Sequence, residues 1–171
     1  ALDNTVGDLN GIATQANNND ITLTVAAGSL TVTQNVSAHG TGNVDLRTGG
    51  ATSDINIKNN ASGATISSGS GTLQLVAGRN ITTDSANGTA TELQSTGNVL
   101  LKAGDGIGSD TNRIEMKDVN TVAAVSAGAS TGGDIFLRQL TGTPVTGTNN
   151  LTIGPVSAVN SPSSLDNTVT D

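Results

Sequence analysis

The chain has no cysteine, no tryptophan and no tyrosine, and its one phenylalanine is Phe136. Without cysteine it can build neither a disulfide framework nor a thiolate metal site. Without large aromatics it cannot fill a wide globular core, because those side chains normally dominate such burial. Charge is scarce as well. Only 12% of residues are charged, about half the roughly 25% of an ordinary soluble domain. Seven basic against fourteen acidic residues leave a net charge of −7. Phosphate binding needs clustered Lys and Arg, so this balance argues against a nucleic-acid partner. No run approaches the roughly 18 apolar residues of a transmembrane helix. No signal-peptide pattern appears either, so we expect no membrane insertion in this segment and an export signal, if any, outside it.

What remains is a chain rich in Gly, Thr, Ser, Asn and Ala, with Val, Ile and Leu as its core formers. A mean hydropathy of −0.10 and so few charges are unlike a disordered tract, and the apolar residues are patterned. A narrow core of aliphatic side chains predicts an elongated fold.

The chain carries an internal repeat. Leu2-Asp3-Asn4-Thr5-Val6 recurs as Leu165-Asp166-Asn167-Thr168-Val169, displaced by 163 residues, and Asp8 matches Asp171 at the same displacement. This organisation predicts a single solenoid segment over 1–171, made of one tandem unit of about 163 residues and the start of the next. Within it, apolar residues alternate in short runs: Ile21/Leu23/Val25, Val44/Leu46, Ile55/Ile57, Leu73/Leu75, Val99/Leu101, Ile114/Met116, Ile135/Leu137 and Leu151/Ile153. Period-2 alternation means half-buried strands. No segment holds a capped 3.6-residue stripe, so little or no helix is expected.

Several strands share an opening motif of glycine, a short polar residue and an inward apolar one: Gly42-Asn43-Val44, Gly71-Thr72-Leu73, Gly97-Asn98-Val99 and Gly133-Asp134-Ile135. Glycine supplies the positive φ of a tight corner and the polar residue hydrogen-bonds the turning backbone. Taking Asp20, Asn43, Thr72, Asn98, Asp134 and Asn150 as coil starts predicts about six irregular coils with excursions around 58–70, 84–95 and 104–131. The fold expected is all-β, a right-handed parallel β-solenoid (β-helix). The rival is a β-sandwich repeat of the immunoglobulin kind, which usually needs a central aromatic.

Gly97-Asn98-Val99-Leu100-Leu101-Lys102-Ala103-Gly104, the run Leu73–Thr82 and Gly133-Asp134-Ile135-Phe136-Leu137-Arg138 resemble the filamentous-haemagglutinin-like adhesins and related giant tandem-repeat β-helix surface proteins of bacteria. The resemblance implies a right-handed parallel β-helix exported to the cell surface, with a shaft that performs no chemistry.

Candidate sites are few. His39 lies in Ser37-Ala38-His39-Gly40 without an adjacent acid, and the sparse basic residues give no cluster for polysaccharide cleavage, so no catalytic residue and no cofactor is assigned. Asp105-Gly106-Ile107-Gly108-Ser109-Asp110 looks like a calcium-binding glycine-aspartate turn, but such turns bind in tandem, and a plain turn is the better reading. Thr22/Thr24 and Thr31/Thr33 are not continued as an ice-binding ladder. Glycosylation sequons occur at Asn35, Asn60, Asn80, Asn87 and Asn150. Aligning the coils on their opening motifs puts Arg47, Lys102 and Arg138 in one outward column, next to Leu100 and Phe136. That stripe suits lateral contact with another protomer or an anionic glycan; alternatively an excursion around 118–131 folds over Leu100 and Phe136, with the basic stems beside it. The function expected is a structural shaft or fibre-forming, adhesin-like segment of a large secreted surface protein. Its partner would be itself, by coil stacking, and a cell-surface glycan or protein is a further candidate. The alternative is a carbohydrate-binding or adhesive sandwich module.

Overall fold

The structure, a computed structural model, describes residues 10–88, 90–129, 133–140 and 150–159. The repeated segments Leu2–Val6 and Leu165–Val169 lie outside the described residues. The chain runs through β1 (Ile12–Ala13), β2 (Ile21–Val25), β3 (Leu30–Val32), β4 (Val36–Ala38), β5 (Val44–Thr48) and β6 (Ile55–Ile57). A four-residue helical turn, α1 (Asn59–Ser62), follows and is closed by Gly63 in the left-handed region. Then come β7 (Ile66–Ser68), β8 (Leu73–Ala77), β9 (Ile81–Thr83), β10 (Leu93–Gln94) and β11 (Asn98–Ala103). The last are β12 (Ile114–Lys117), β13 (Thr121–Ser126), β14 (Leu137–Leu140) and β15 (Thr152–Ile153).

These strands form three parallel sheets. Face one is β2-β5-β8-β11-β13-β15, face two is β3-β6-β9, and face three is β1-β4-β7-β10-β12-β14. Face two is prolonged by parallel bridges from Ile81 to Ile107 and from Ile107 to Ile135. Consecutive strands never pair; each strand pairs with the one a full circuit later, which makes the molecule a parallel β-solenoid. Six strands on face one correspond to five complete turns.

Period-2 alternation explains the core. On face one Ile21, Val44, Leu73, Val99 and Val122 stack in register, beside a second inward column of Leu23, Leu46, Leu75, Leu101 and Ala124. Face two contributes Leu30, Ile55, Ile81, Ile107 and Ile135. Face three contributes Ile12, Val36, Ile66, Leu93 and Met116, ending at Gln139. The middle members of all these columns are buried in one continuous aliphatic core.

Two sequence expectations are corrected here. The stretch expected as an excursion, 104–131, carries, over its described residues 104–129, Ile107, β12 and β13, a full circuit of the solenoid. Asp134 therefore opens a position on face two, where Ile135 bridges Ile107, and the coil after Asn98 begins at Thr121. The glycines of the opening motif are also needed for a different reason. Gly42, Gly71 and Gly97 do not have positive φ, whereas Gly133 does. A Cβ on Gly71 would lie 2.1 Å from the Gly42 carbonyl oxygen, one on Gly42 2.2 Å from that of Asn19, and one on Gly97 2.3 Å from that of Ser70. Coils approach each other too closely at this corner for any side chain.

Leu101→Ala, in the middle of the core, should cost about 2–5 kcal/mol, and Gly71→Ala about 1–3 kcal/mol through backbone displacement. Thr31→Ala on the exposed side of face two should stay within about 0.5 kcal/mol. Urea unfolding of the three variants checks the ranking.

Candidate functional surfaces

The outward side of face one holds two columns. Thr24, Arg47, Val76, Lys102 and Val125 form one; Thr22, Asp45, Gln74, Leu100 and Ala123 form the other. Arg47 and Lys102 thus share a column, two coils apart, and Leu100 lies in the adjacent one. Arg138 does not join them. It sits on face three opposite Glu115, and Phe136 lies at the corner preceding β14, its N–H donating to the Ile107 carbonyl. The misplacement follows from the misread coil at 104–131.

A returning segment, not an excursion at 118–131, crosses this surface. After β15 the chain turns back across the outside of face one to reach β8 and β5. The Val159 N–H donates to Gln74 Oε1 (3.0 Å) and the Val159 carbonyl accepts from Gln74 Nε2 (3.0 Å) and Arg47 Nη2 (3.2 Å). The Gln74 amide therefore reads a peptide group as a neighbouring strand would. Beneath lies Asp45, fully buried, with Arg47 Nε at 2.9 and 3.0 Å from its two oxygens and Gln74 Nε2 at 2.9 Å. A buried carboxylate is tolerable only when paired and hydrogen-bonded in this way.

Face three carries a second buried acidic group that the sequence reading missed. Glu92 and Glu115 occupy successive coils, and both are buried. The segment at Gly88 folds over them: the Gly88 N–H donates to Glu115 Oε1, which Arg138 Nη1 also approaches at 3.4 Å. Glu92 accepts from the Glu115 N–H (2.8 Å) and the Thr83 hydroxyl (3.0 Å). Glu115 Oε2 is buried and has no hydrogen-bond partner. Burial pushes the Glu92 carboxyl above its ordinary value; the neighbouring Glu115 charge adds to this, and the two hydrogen bonds oppose it. Since Ile114 and Met116 alternate about it, Glu115 was legible only as an outward residue.

The corners between faces carry polar ladders. At the start of face two, the Asp54 N–H donates to Ser29 Oγ, the Asn80 N–H to Asp54 Oδ1 and the Gly106 N–H to Asn80 Oδ1. At the start of face one, Asn43 N–H donates to Asp20 Oδ1 and Thr72 N–H to Asn43 Oδ1. Three sequon asparagines serve the same purpose: Asn35, Asn80 and Asn87 accept from the N–H groups of Thr65, Gly106 and Arg113 on the next coil. Arg79 clasps Asp54, with Nε at 2.8 Å from Oδ1, and this bond holds the Asp54 carboxyl below the usual carboxylate range.

The remaining candidates are placed as follows. Ile107, between Asp105 and Asp110, points into the core; Asp105 is buried, while Asp110 is exposed and pairs with Arg113 at 2.9 Å. Among the described residues no three of His, Cys, Asp and Glu come together as a metal site. His39 Nδ1 meets Asn17 Oδ1 at a corner. Near it a trough of about 510 Å³ passes Asn18, Thr41, Ser70 and Thr96. Two of its hydroxyls are engaged within the coils: Thr41 donates to Asn18 Oδ1, and Thr96 to the Gly69 carbonyl.

No protein-family model matches the chain, and no curated protein or solved structure is significantly similar to it.

Two outcomes follow from these surfaces. Gln74→Ala should release the returning segment, seen as faster amide exchange at Val159 with little change in the core. The two perturbed carboxyls act in separate pH windows. Glu92 is raised, so the stability it confers is complete below its unfolded value near 4.5 and is lost as pH rises through its folded value. Asp54 is lowered, so its contribution is present above 3.8 and is lost as pH falls through its folded value. Glu92→Gln should flatten the first slope in a pH series of urea midpoints, and Asp54→Asn the second.

Proposed function

We propose that this chain is a shaft segment of a large, secreted, repeat-built bacterial surface or filament protein, and that its role is structural and not catalytic. The observation that carries the reading is the run of inward columns through every described coil, ending in exposed isoleucines: Ile12 at one end, Ile135 and Ile153 at the other. No coil can bury its apolar side alone, so such a stack is lengthened by adding coils and is stable only as a stack. Hydrogen bonds along the axis make it stiff, and the net charge of −7 keeps the flanks hydrated and mutually repelling. The filamentous-haemagglutinin-like texture of the sequence supports an exported, adhesin-like setting. Self-association by stacking is the partner interaction this reading requires, and a surface glycan or host protein would be met elsewhere on the assembly.

Electron microscopy of native material, with chain mass measured under denaturing conditions, tests it. With strands about 4.8 Å apart, six coils span roughly 29 Å. Thin fibres built of chains far heavier than 16.8 kDa and repeating at that spacing or a multiple are expected. Fibres of chains near that mass would mean stacked subunits in place of a continuous polypeptide. Compact isolated particles would overturn the shaft.

A further inference from the structure

Four large hydrophobic residues are exposed among the described ones, and three of them are the last members of inward columns: Ile12 (42%), Ile135 (40%) and Ile153 (88%). Gln139 ends the face-three column, and its Oε1 is buried without a partner. Each is half of a contact that the next coil would complete.

Column spacing says which residues complete it. On face one, Ile21, Val44, Leu73, Val99, Val122 and Ile153 follow one another at 23, 29, 26, 23 and 31 residues. A unit displaced by 163 residues, the displacement of the Leu-Asp-Asn-Thr-Val repeat, places its Ile21 a further 31 residues after Ile153. On face three, Ile12, Val36, Ile66, Leu93, Met116 and Gln139 are separated by 24, 30, 27, 23 and 23. The displaced Ile12 comes 36 residues after Gln139, in a stretch that also holds the returning segment. On face two, Leu30, Ile55, Ile81, Ile107 and Ile135 are separated by 25, 26, 26 and 28. The displaced Leu2 is Leu165 itself, 30 residues after Ile135. The three arrivals also come in the right order. Leaving Ile153 on face one, the chain must visit faces two, three and one, and the displaced Leu2, Ile12 and Ile21 follow in that sequence. The order holds for any displacement that begins the new unit beyond Ile153; what the 163-residue displacement adds is the coil-length spacing on faces one and two.

We propose that the open end of the solenoid receives the first coil of a second copy of this unit, following in tandem, with that copy's Leu2, Ile12 and Ile21 seated on Ile135, Gln139 and Ile153. This deepens the shaft reading and rests on it. The corner ladder is compatible with the register: Ser29, Asp54 and Asn80 each accept the next coil's N–H, Gly106 has no side chain to continue it, and Asp134 one coil later again offers a carboxylate, which in the proposed register would meet the Ser164 N–H of the arriving coil. Leu165 lies outside the described residues, and its seat is what the experiment decides.

The chain has no cysteine of its own, so engineered pairs report cleanly. In the 171-residue chain, Ile135→Cys with Leu165→Cys should form an intramolecular disulfide on mild oxidation, read as a mobility shift on a non-reducing gel. Ile135→Cys with Asp166→Cys, one residue out of register and on the opposite face, should cross-link roughly ten-fold less. Equal cross-linking of both pairs, or none at Leu165, overturns the register. A second measurement leaves the column intact. In a chain of two units joined at the 163-residue displacement, amide exchange across β14 and at Ile153 of the first unit should slow relative to the single unit. Unchanged exchange overturns the docking. The shaft reading itself stands or falls on native chain mass and images, so the two failures are distinguishable.

Discussion

The structure depends on the hydrogen bond from one coil to the next. Backbone groups of the interior strands find their partners one circuit away, as when the Ile21 N–H donates to Asn43 and the Val44 N–H to Thr72. Spacing between coils is thereby fixed at the inter-strand distance of about 4.8 Å. Side chains in the same column must then stack at that distance, so each column keeps a nearly constant size. Aliphatic residues of similar volume meet the requirement along Leu46, Leu75 and Leu101, or along Ile55, Ile81 and Ile107. An aromatic core would have to be aromatic in every coil, which is why its near absence is no handicap here.

Corners impose the second condition. Where the chain changes face, backbone N–H groups leave the strand ladder, and a buried one must be satisfied. Short polar side chains do this across coils: Asp20 and Asn43 before face one, Ser29, Asp54 and Asn80 before face two. Where coils approach closely at the corner before face one no side chain fits, and the stacked glycines Gly42, Gly71 and Gly97 result. The Asn, Asp, Ser and Gly content of the sequence is therefore the composition of corners repeated once per face per turn.

These two conditions explain what could be read from the sequence and what could not. Alternating apolar pairs located nearly all the strands of face one, and the glycine-polar-apolar motif located the corners before β5, β8 and β11. The motif does not say which face it opens, so Gly133-Asp134-Ile135 was assigned to face one when Ile135 continues face two. The β13 coil was passed over because Thr121-Val122-Ala123-Ala124-Val125-Ser126 has no leading glycine and only small or β-branched side chains. Surface features depended on contacts between distant parts of the chain. Nothing local marks Gln74 as the receptor for Val159, 85 residues away, or indicates that the turn at Gly88 will bury Glu115. Of the five residues assigned to a lateral stripe, only Arg47, Lys102 and Leu100 share a surface.

Charge and apolar area are distributed in opposite ways along this molecule, and that distribution bears on what it is built for. Around the flanks, the buried acids Asp45, Glu92 and Glu115 lie under covering segments and have hydrogen-bond partners, so the chain itself covers parts of faces one and three. Along the axis the opposite holds. The inward columns reach the final described coils, where face two ends at exposed Ile135 and face one at exposed Ile153, while face three ends at Gln139. Strand edges left in that condition are open to an arriving backbone, whereas on the flanks Val125 is the one large hydrophobic residue exposed among those described. In the proposed shaft, growth therefore runs along the axis, where the inward columns are open. In the shaft proposed above, the same asymmetry sets the geometry of extension, coil by coil and in register with the columns.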